Sequence, residues 1–108
     1  MDLRPASYFV LASLLDGPLH GYAIAGRARE LSEGGVRLTA GTLYGALERM
    51  AVQGLVQMDR EETVEGRLRR YWRLSDNGRD AVLSEADRLA AAARVVQLPR
   101  PSVARSVA

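Results

Sequence analysis

The sequence predicts a mainly α-helical domain that carries one small β-hairpin and ends in a long C-terminal helix. Residues 5–51 hold three segments with the apolar content or spacing of helices, and residues 55–74 hold two strand-like segments around a polar turn. An uninterrupted helical stripe follows Ser75. At 108 residues, the chain has the length of one domain with a small core.

The first two predicted helices end at glycine and proline residues. Residues 5–15 are apolar on almost every side, which is typical of a buried helix, and the Asp-Gly-Pro sequence at 16–18 ends it. The second helix, residues 21–33, places Ile24, Ala28 and Leu31 on one face and ends at the glycine pair 34–35. Residues 36–38 then form an extended link or a small strand.

The third helix begins after Thr39, which has the side chain of an N-cap residue. Its apolar stripe follows helical spacing and consists of Leu43, Ala46, Leu47, Met50 and Ala51. The helix also carries Gly41 and Gly45, and each interior glycine costs about 1 kcal/mol relative to alanine. Two glycines in one short helix indicate a requirement beyond helix propensity.

A hairpin and a long helix complete the chain. Residues 55–58 and 68–74 are the predicted strands, and residues 61–66 form the polar turn between them. Ser75 is the predicted N-cap of the last helix, residues 76–97. The apolar stripe of that helix consists of Val82, Ala86, Leu89, Ala93 and Val96. Two prolines end the helix, and residues 98–108 are predicted to form a disordered tail.

This order of elements is typical of a winged helix-turn-helix domain, in which the third helix enters the DNA major groove and the hairpin forms the wing. Gly41 leaves room for a phosphate near the backbone N–H groups that open the third helix. Thr39, Thr42 and Tyr44 carry hydroxyl groups, which are donors that fix the position of a protein on DNA. The alternative, chiefly for Gly45, is tight packing of the third helix on the second.

The basic residues support the same interpretation. All 15 are arginines, so any phosphate contact comes from a planar guanidinium group. Arg67, Arg69 and Arg70 lie on the returning strand of the wing, where we expect contacts with the DNA backbone. Arg49 lies on the exposed side of the third helix and is expected to reach a guanine edge. The simpler alternative is that the wing arginines only solvate a hairpin that also carries three glutamates.

Composition argues against other classes of function. The chain has no cysteine and a single histidine, His20, so cysteine-based zinc sites and multi-histidine metal sites are excluded. We expect no cofactor, no metal and no enzymatic activity, because no phosphate loop or catalytic constellation is present. With no signal-like start and no run of 18 apolar residues, we predict a cytoplasmic protein without a membrane segment. His20 is expected to shape the turn into the second helix; DNA contact and pH sensing are alternatives.

Four sequence segments carry a resemblance to a known family. They are LHGY at 19–22, LTAGTLY at 38–44, ALERMAVQGLV at 46–56 and RYWRLSDNGR at 70–79. Together they make the chain resemble the PadR family of transcriptional regulators over residues 8–85. The resemblance implies a winged-helix repressor that dimerises through its C-terminal helix, with some relatives relieved by phenolic acids or bound to drug-like ligands at the dimer interface.

The resemblance also assigns DNA-facing positions, which fall on Tyr22, Thr39, Gly41, Thr42 and Tyr44, with the wing arginines beside them. The chain departs from the family pattern in two respects. Gly45 stands where members usually have proline, which affects the expected bend of the third helix. The single C-terminal helix is similar to that of the short subfamily.

The expected organisation is a DNA-binding domain at 1–75, a dimerisation helix at 76–97 and the tail at 98–108. The stripe from Val82 to Val96 is expected to form much of a homodimer seam, because a small winged-helix core cannot cover it; packing on the first helix is the alternative for part of it. Two third helices would then read a pseudo-palindrome in double-stranded DNA, about 10 base pairs apart. The last helix lacks aromatic residues, which favours a small hydrophobic effector or none. A winged helix that binds a protein partner instead of DNA is the alternative function.

Overall fold

The structure, a computed structural model, describes residues 3–99. It confirms the predicted fold class: three helices, a β-hairpin and a long last helix. The elements in chain order are α1 (Pro5–Ser13), β1 (Leu19–His20), α2 (Gly21–Leu31), α3 (Ala40–Val52), β2 (Val56–Val64), β3 (Arg67–Leu74) and α4 (Asp76–Gln97). The predicted disordered tail, apart from its first two residues, lies outside the described residues.

Three of the helices begin at a side chain that caps the first turn. The imidazole Nδ1 of His20 accepts a hydrogen bond from the Ala23 N–H at 3.3 Å and so caps α2. The Thr39 hydroxyl oxygen accepts from the Thr42 N–H at 3.3 Å, and the Ser75 hydroxyl oxygen accepts from the Gly78 N–H at 2.9 Å. The caps predicted at Thr39 and Ser75 are therefore confirmed, as is the role of His20 at the turn into the second helix.

The sheet differs from the sequence prediction in two places. Leu19 and His20 form a third strand, β1, that pairs with β3, so the strand order is β1-β3-β2. Of the two alternatives for residues 36–38, a link or a strand, the structure shows the link. The hairpin strands are longer than predicted and meet at a tight turn at Glu65 and Gly66, both of which have positive φ. Glu61, Glu62 and Thr63, which were predicted to lie in the turn, belong to β2, a strand that is exposed along nearly its whole length.

The hydrophobic core lies between the helices and the base of the hairpin. Trp72, on β3, is buried there and pairs with Leu19 on one side and Met58 on the other. The buried cluster consists of Val10, Leu11, Leu14, Ile24, Leu43, Ala46, Leu47, Met50, Leu55, Val56, Trp72 and Val82. All four helices thus contribute apolar side chains to a shared core, and their exposed faces are left for other contacts.

A glycine fixes the joint between α4 and the base of the wing. A methyl group added at Gly78 would overlap the Leu55 carbonyl oxygen, so the first turn of α4 can lie against Leu55 only because residue 78 has no side chain. The Ser75 N–H donates to the same carbonyl at 3.1 Å, and the Ser75 hydroxyl donates to the Gly54 carbonyl. This contact sets the direction in which α4 leaves the domain.

Only the first half of α4 is packed against the rest of the chain. Its buried residues are Gly78, Val82 and Glu85, and every residue from 87 to 97 is exposed. The two hydrogen bonds that Arg88 donates to Glu85, at 2.7 and 2.6 Å, hold the pKa of this carboxyl below its usual value, although burial acts in the opposite direction. The backbone of Leu3 acts on this pKa in the same direction as Arg88.

Within the described residues, no helix is both long enough and apolar enough to cross a lipid bilayer.

Candidate nucleic-acid interface

The first turn of α3 presents two linked hydroxyl groups to solvent. The Thr39 hydroxyl donates to the Thr42 hydroxyl oxygen at 3.0 Å, and both side chains are exposed. The first N–H groups of a helix have no partner within the helix, so they give this end a partial positive charge. The predicted pair of threonines therefore lies at a helix end suited to an anion.

The two glycines of α3 do not serve packing against α2. A methyl group at Gly41 would meet no atom within 4 Å. A methyl group at Gly45 would meet only the Arg49 guanidinium, at 3.4 Å. The alternative of tight helix packing is therefore wrong for both positions. Both glycines keep an outward surface free of side-chain bulk.

A third glycine positions Tyr44. A methyl group at Gly21 would lie 3.1–3.3 Å from three atoms of the Tyr44 ring, which is closer than an ordinary van der Waals contact. Gly21 therefore lets the Tyr44 ring rest against the first turn of α2, which fixes its direction while it stays 48% exposed. Sequence reasoning did not assign a role to Gly21, although it lies inside the LHGY segment that carries the resemblance.

Tyr22, Tyr44 and the wing arginines meet in one open cleft of about 360 Å³ between α2, α3 and β3. Tyr22 is the most exposed of these aromatic rings, at 88%. We call this space the wing cleft; it is lined by His20, Gly21, Tyr22, Tyr44, Arg67, Leu68, Arg69 and Arg70. Five residues predicted from sequence as DNA-facing thus surround a single concave surface.

The arginines of the wing differ in whether they form ion pairs with acidic side chains. Arg70 pairs with Glu61 across the hairpin at 3.2 Å, and Arg73 lies 3.7 Å from Asp59. Arg67 and Arg69 have no ion pair with any residue in the described part of the chain. Exposed ion pairs contribute at most about 1 kcal/mol, so Arg70 can exchange its partner for a phosphate at low cost. Arg67 and Arg69 need no exchange.

Arg49 does not join the wing cleft. With 3.6 residues per turn, Arg49 and Tyr44 fall on opposite flanks of the exposed face of α3. Arg49 lines a separate surface depression of about 530 Å³ together with Arg4, Ser7 and Gln53. Its contact with a guanine edge remains a prediction, and the structure adds Arg4 as a basic neighbour that sequence reasoning missed.

His20 connects the cap of α2 to the wing. Its ring meets the edge of the Tyr71 ring with centroids 5.5 Å apart, and it lines the wing cleft. Burial lowers the pKa of His20, the charge of Arg69 acts in the same direction, and Glu62 opposes both. Neutral imidazole is also the form in which Nδ1 can accept the hydrogen bond of the cap.

The residues predicted for the dimer seam fall into two groups. Val82 is only 2% exposed and belongs to the core of the protomer, so it stabilises the fold and is not available to a partner. Leu89, Ala93 and Val96 continue the same face of α4 and are exposed, and Ala86 lies half-buried between the groups. Packing on the body of the domain therefore covers the beginning of the stripe only.

The described residues include no cluster of three histidine or acidic side chains that could hold a metal ion.

Comparison with known proteins shows the family of the chain. The model of the transcriptional regulator PadR-like family matches residues 10–84. An uncharacterized 37.1 kDa protein in transposon TN4556 of Streptomyces fradiae is 41% identical over 90 residues, which are 83% of this chain but 24% of that protein. The chain therefore spans about a quarter of that relative's length. Transcriptional regulator Rv3488 of Mycobacterium tuberculosis is 36% identical over 81% of this chain and 78% of its own.

Solved structures share the fold. A PadR family transcription regulator from Clostridium difficile has a TM-score of 0.73 at 26% identity, covering 87% of this chain and 96% of its own. Bacillus subtilis PadR in complex with operator DNA has a TM-score of 0.66 at 21% identity, covering 75% of this chain and 46% of its own. The helices, the wing and the four sequence segments agree with these findings, and the chain belongs to the PadR-like family of transcriptional regulators.

Proposed function

We propose that this PadR-like regulator binds operator DNA as a homodimer, with α3 in the major groove and the wing on the neighbouring backbone. The observation that carries the proposal is the wing cleft, where Tyr22 and Tyr44 lie beside two arginines without acidic partners. Next to it, the first turn of α3 offers exposed hydroxyl groups and a glycine with free space. The arrangement is suited to a sugar-phosphate backbone.

The residues have distinct parts in this proposal. Thr39, Thr42 and the N–H groups near Gly41 hold a phosphate at the end of α3, and Tyr22 and Tyr44 fix the orientation of the domain. Arg67, Arg69 and Arg70 contact the backbone from the wing, and Arg49 reaches a base edge on the other flank of α3. The family is one of transcriptional regulators and not of enzymes. We propose that this regulator acts as a repressor and that it is located in the cytoplasm.

Support for the homodimer comes from α4. Leu89 and Val96 are 41% and 67% exposed, and they extend a face that begins in the core at Val82. The protomer itself buries only the first half of this face. The exposed half is suited to packing against the same face of a second copy of the chain. The last helix carries no aromatic residue, so a small hydrophobic effector at this seam, or none, remains the prediction.

The proposal is tested by the salt dependence of DNA binding. Arg69→Ala should weaken binding to every duplex, because it removes one phosphate contact and no base contact. The slope of log K against log salt should become shallower by about one unit. Fluorescence anisotropy on a labelled duplex from 50 to 300 mM salt, on the order of the physiological range, measures this slope.

The matched control is Arg73→Ala, which removes an arginine from the same strand that pairs with Asp59 and does not line the wing cleft. Its slope should equal that of the wild type. An unchanged slope for Arg69→Ala would show that the wing stays off the backbone. Absence of DNA binding by the wild type would favour the alternative function, a winged helix that binds a protein partner.

A further inference from the structure

A second basic surface lies on the side of Tyr22 that faces away from the wing. Tyr22, Gly26 and Arg29 are spaced i, i+4 and i+7 on α2, which places them in one exposed row. Arg37, in the link to α3, joins them around an open cleft of about 240 Å³. Tyr22 also lines the wing cleft, so the two surfaces are continuous.

The glycine in this row has no packing role. A methyl group at Gly26 would meet no atom within 4 Å, and its φ is not in the left-handed region. A glycine inside a helix costs about 1 kcal/mol relative to alanine. The core of the protomer therefore gives no reason for Gly26, whereas close approach of an external backbone does.

The two arginines are available for an external anion. Neither Arg29 nor Arg37 forms an ion pair with any residue between 3 and 99. The nearby Glu30 is paired with Arg27 at 3.5 Å, on another side of α2. The cleft thus has two guanidinium groups and no lining acid.

The turn between α2 and α3 holds the arginines in a fixed relation. The Ser32 hydroxyl donates to the Arg29 carbonyl at 3.2 Å and accepts from the Val36 N–H at 2.8 Å. The Arg37 Nε donates to the Gly34 carbonyl at 3.3 Å, which orients the guanidinium and leaves its terminal amino groups for other partners. Ordering of the Arg37 side chain before binding lowers the entropy cost of its contact.

We propose that Gly26, Arg29 and Arg37, continuing from Tyr22, form a second phosphate-binding row that grips the DNA backbone on the flank opposite the wing. The row rests on the proposed function, because it extends the same interface. From Tyr22 to Arg29 it measures about 10 Å along α2, which is about the rise of three base pairs along the DNA axis. The domain then contacts the backbone on both sides of Tyr22, from the wing cleft and from the second row.

The test compares three single variants with the wild type by anisotropy on one labelled duplex across a salt series. Arg29→Ala and Arg37→Ala should each lower the slope of log K against log salt by about 0.9, the value for one phosphate contact. Arg27→Ala is the matched control on the same helix and should keep the slope of the wild type. All three side chains are exposed, so the fold should survive each change.

Phosphate ethylation interference then locates the contacts. In the Arg37→Ala variant, ethylation should no longer interfere with binding at certain phosphates where it still interferes in the Arg69→Ala variant. Wild-type slopes for both Arg29→Ala and Arg37→Ala, while Arg69→Ala lowers the slope, would overturn the second row and leave the proposed function standing. Loss of the same phosphates in Arg37→Ala and Arg69→Ala would also overturn it. Failure of the wild type to bind any duplex would overturn the proposed function together with this inference.

Discussion

At the scale of single residues, His20 links the start of α2 to the wing, and its charge state should affect stability. Its imidazole accepts the cap hydrogen bond from Ala23, and burial together with Arg69 lowers its pKa. The unfolded chain has the ordinary value of about 6.5. The folded protein therefore binds this proton less readily than the unfolded chain does. The stability that depends on neutral His20 is present above about pH 6.5 and is lost as the pH falls toward the lower folded pKa.

This dependence can be isolated because His20 is the only histidine. We expect the urea concentration at which half of the wild-type protein is unfolded to decrease when the pH is lowered from 7.5 to 5.5. This window extends about one unit to either side of the unfolded pKa. His20→Asn keeps a capping side chain but does not titrate, so its midpoint should change less over the same window. Parallel midpoints for the two proteins would contradict the assigned role. Glu85, whose pKa is also lowered, should affect stability only at more acidic pH.

The direction of individual side chains was largely predictable at this scale. Helical spacing identified Leu43 and Leu47 as buried and Tyr44 as exposed, because those directions follow from 3.6 residues per turn. The pairing of Arg70 with Glu61 was not predictable, since it depends on the register of β2 against β3. The turn sets the register, and the turn predicted from the sequence, residues 61–66, was wider than the turn at Glu65 and Gly66 in the structure.

At the scale of elements, glycines separate structural from functional requirements. Gly78 and Gly41 both lie in the first turns of helices, but a methyl group would overlap the Leu55 carbonyl at Gly78 and would meet nothing at Gly41. Gly78→Ala should therefore cost about 3 kcal/mol, the upper part of the range for overpacked sites. Gly41→Ala should stabilise the protein by about 1 kcal/mol, because alanine favours a helix.

The DNA affinity of Gly41→Ala should move the other way. If a phosphate approaches the backbone at Gly41, the added methyl group should cost one hydrogen bond, or about 1 kcal/mol and thus about a five- to tenfold weaker complex. Thermal unfolding and anisotropy on the same preparations measure both effects. A stabilised variant with undiminished affinity would show that no phosphate approaches this turn.

The elements themselves were predictable except where partners distant in the chain decide the outcome. The helices were predictable from their capping residues, such as Thr39 and Ser75, and from their apolar spacing. Strand β1 has two residues and forms only because β3 lies beside it, so local sequence contains no signal for it. The second phosphate row was missed for the same reason: Arg29 and Arg37 become neighbours only after the α2–α3 turn folds.

At the scale of the whole molecule, the exposed half of α4 determines the proposed assembly. Leu89→Asp should shift the protein from dimer to monomer, because it places a charge within an apolar seam. Ala91→Asp puts the same charge on the opposite, exposed face of the helix and should leave the dimer intact. Analytical ultracentrifugation of the three proteins measures the change. A monomeric wild type, or equal dimerisation of all three, would show that this stripe is not the seam.

The central claim, that the domain reads a DNA sequence, is tested most directly by anisotropy of the wild type on DNA from upstream of its own gene. A scrambled duplex of equal length and composition serves as the competitor, and both are measured across a salt series. We predict that the upstream duplex binds at least tens-fold more tightly, with log K falling steeply as log salt rises. Equal affinity for both duplexes at every salt concentration would contradict sequence reading at this site.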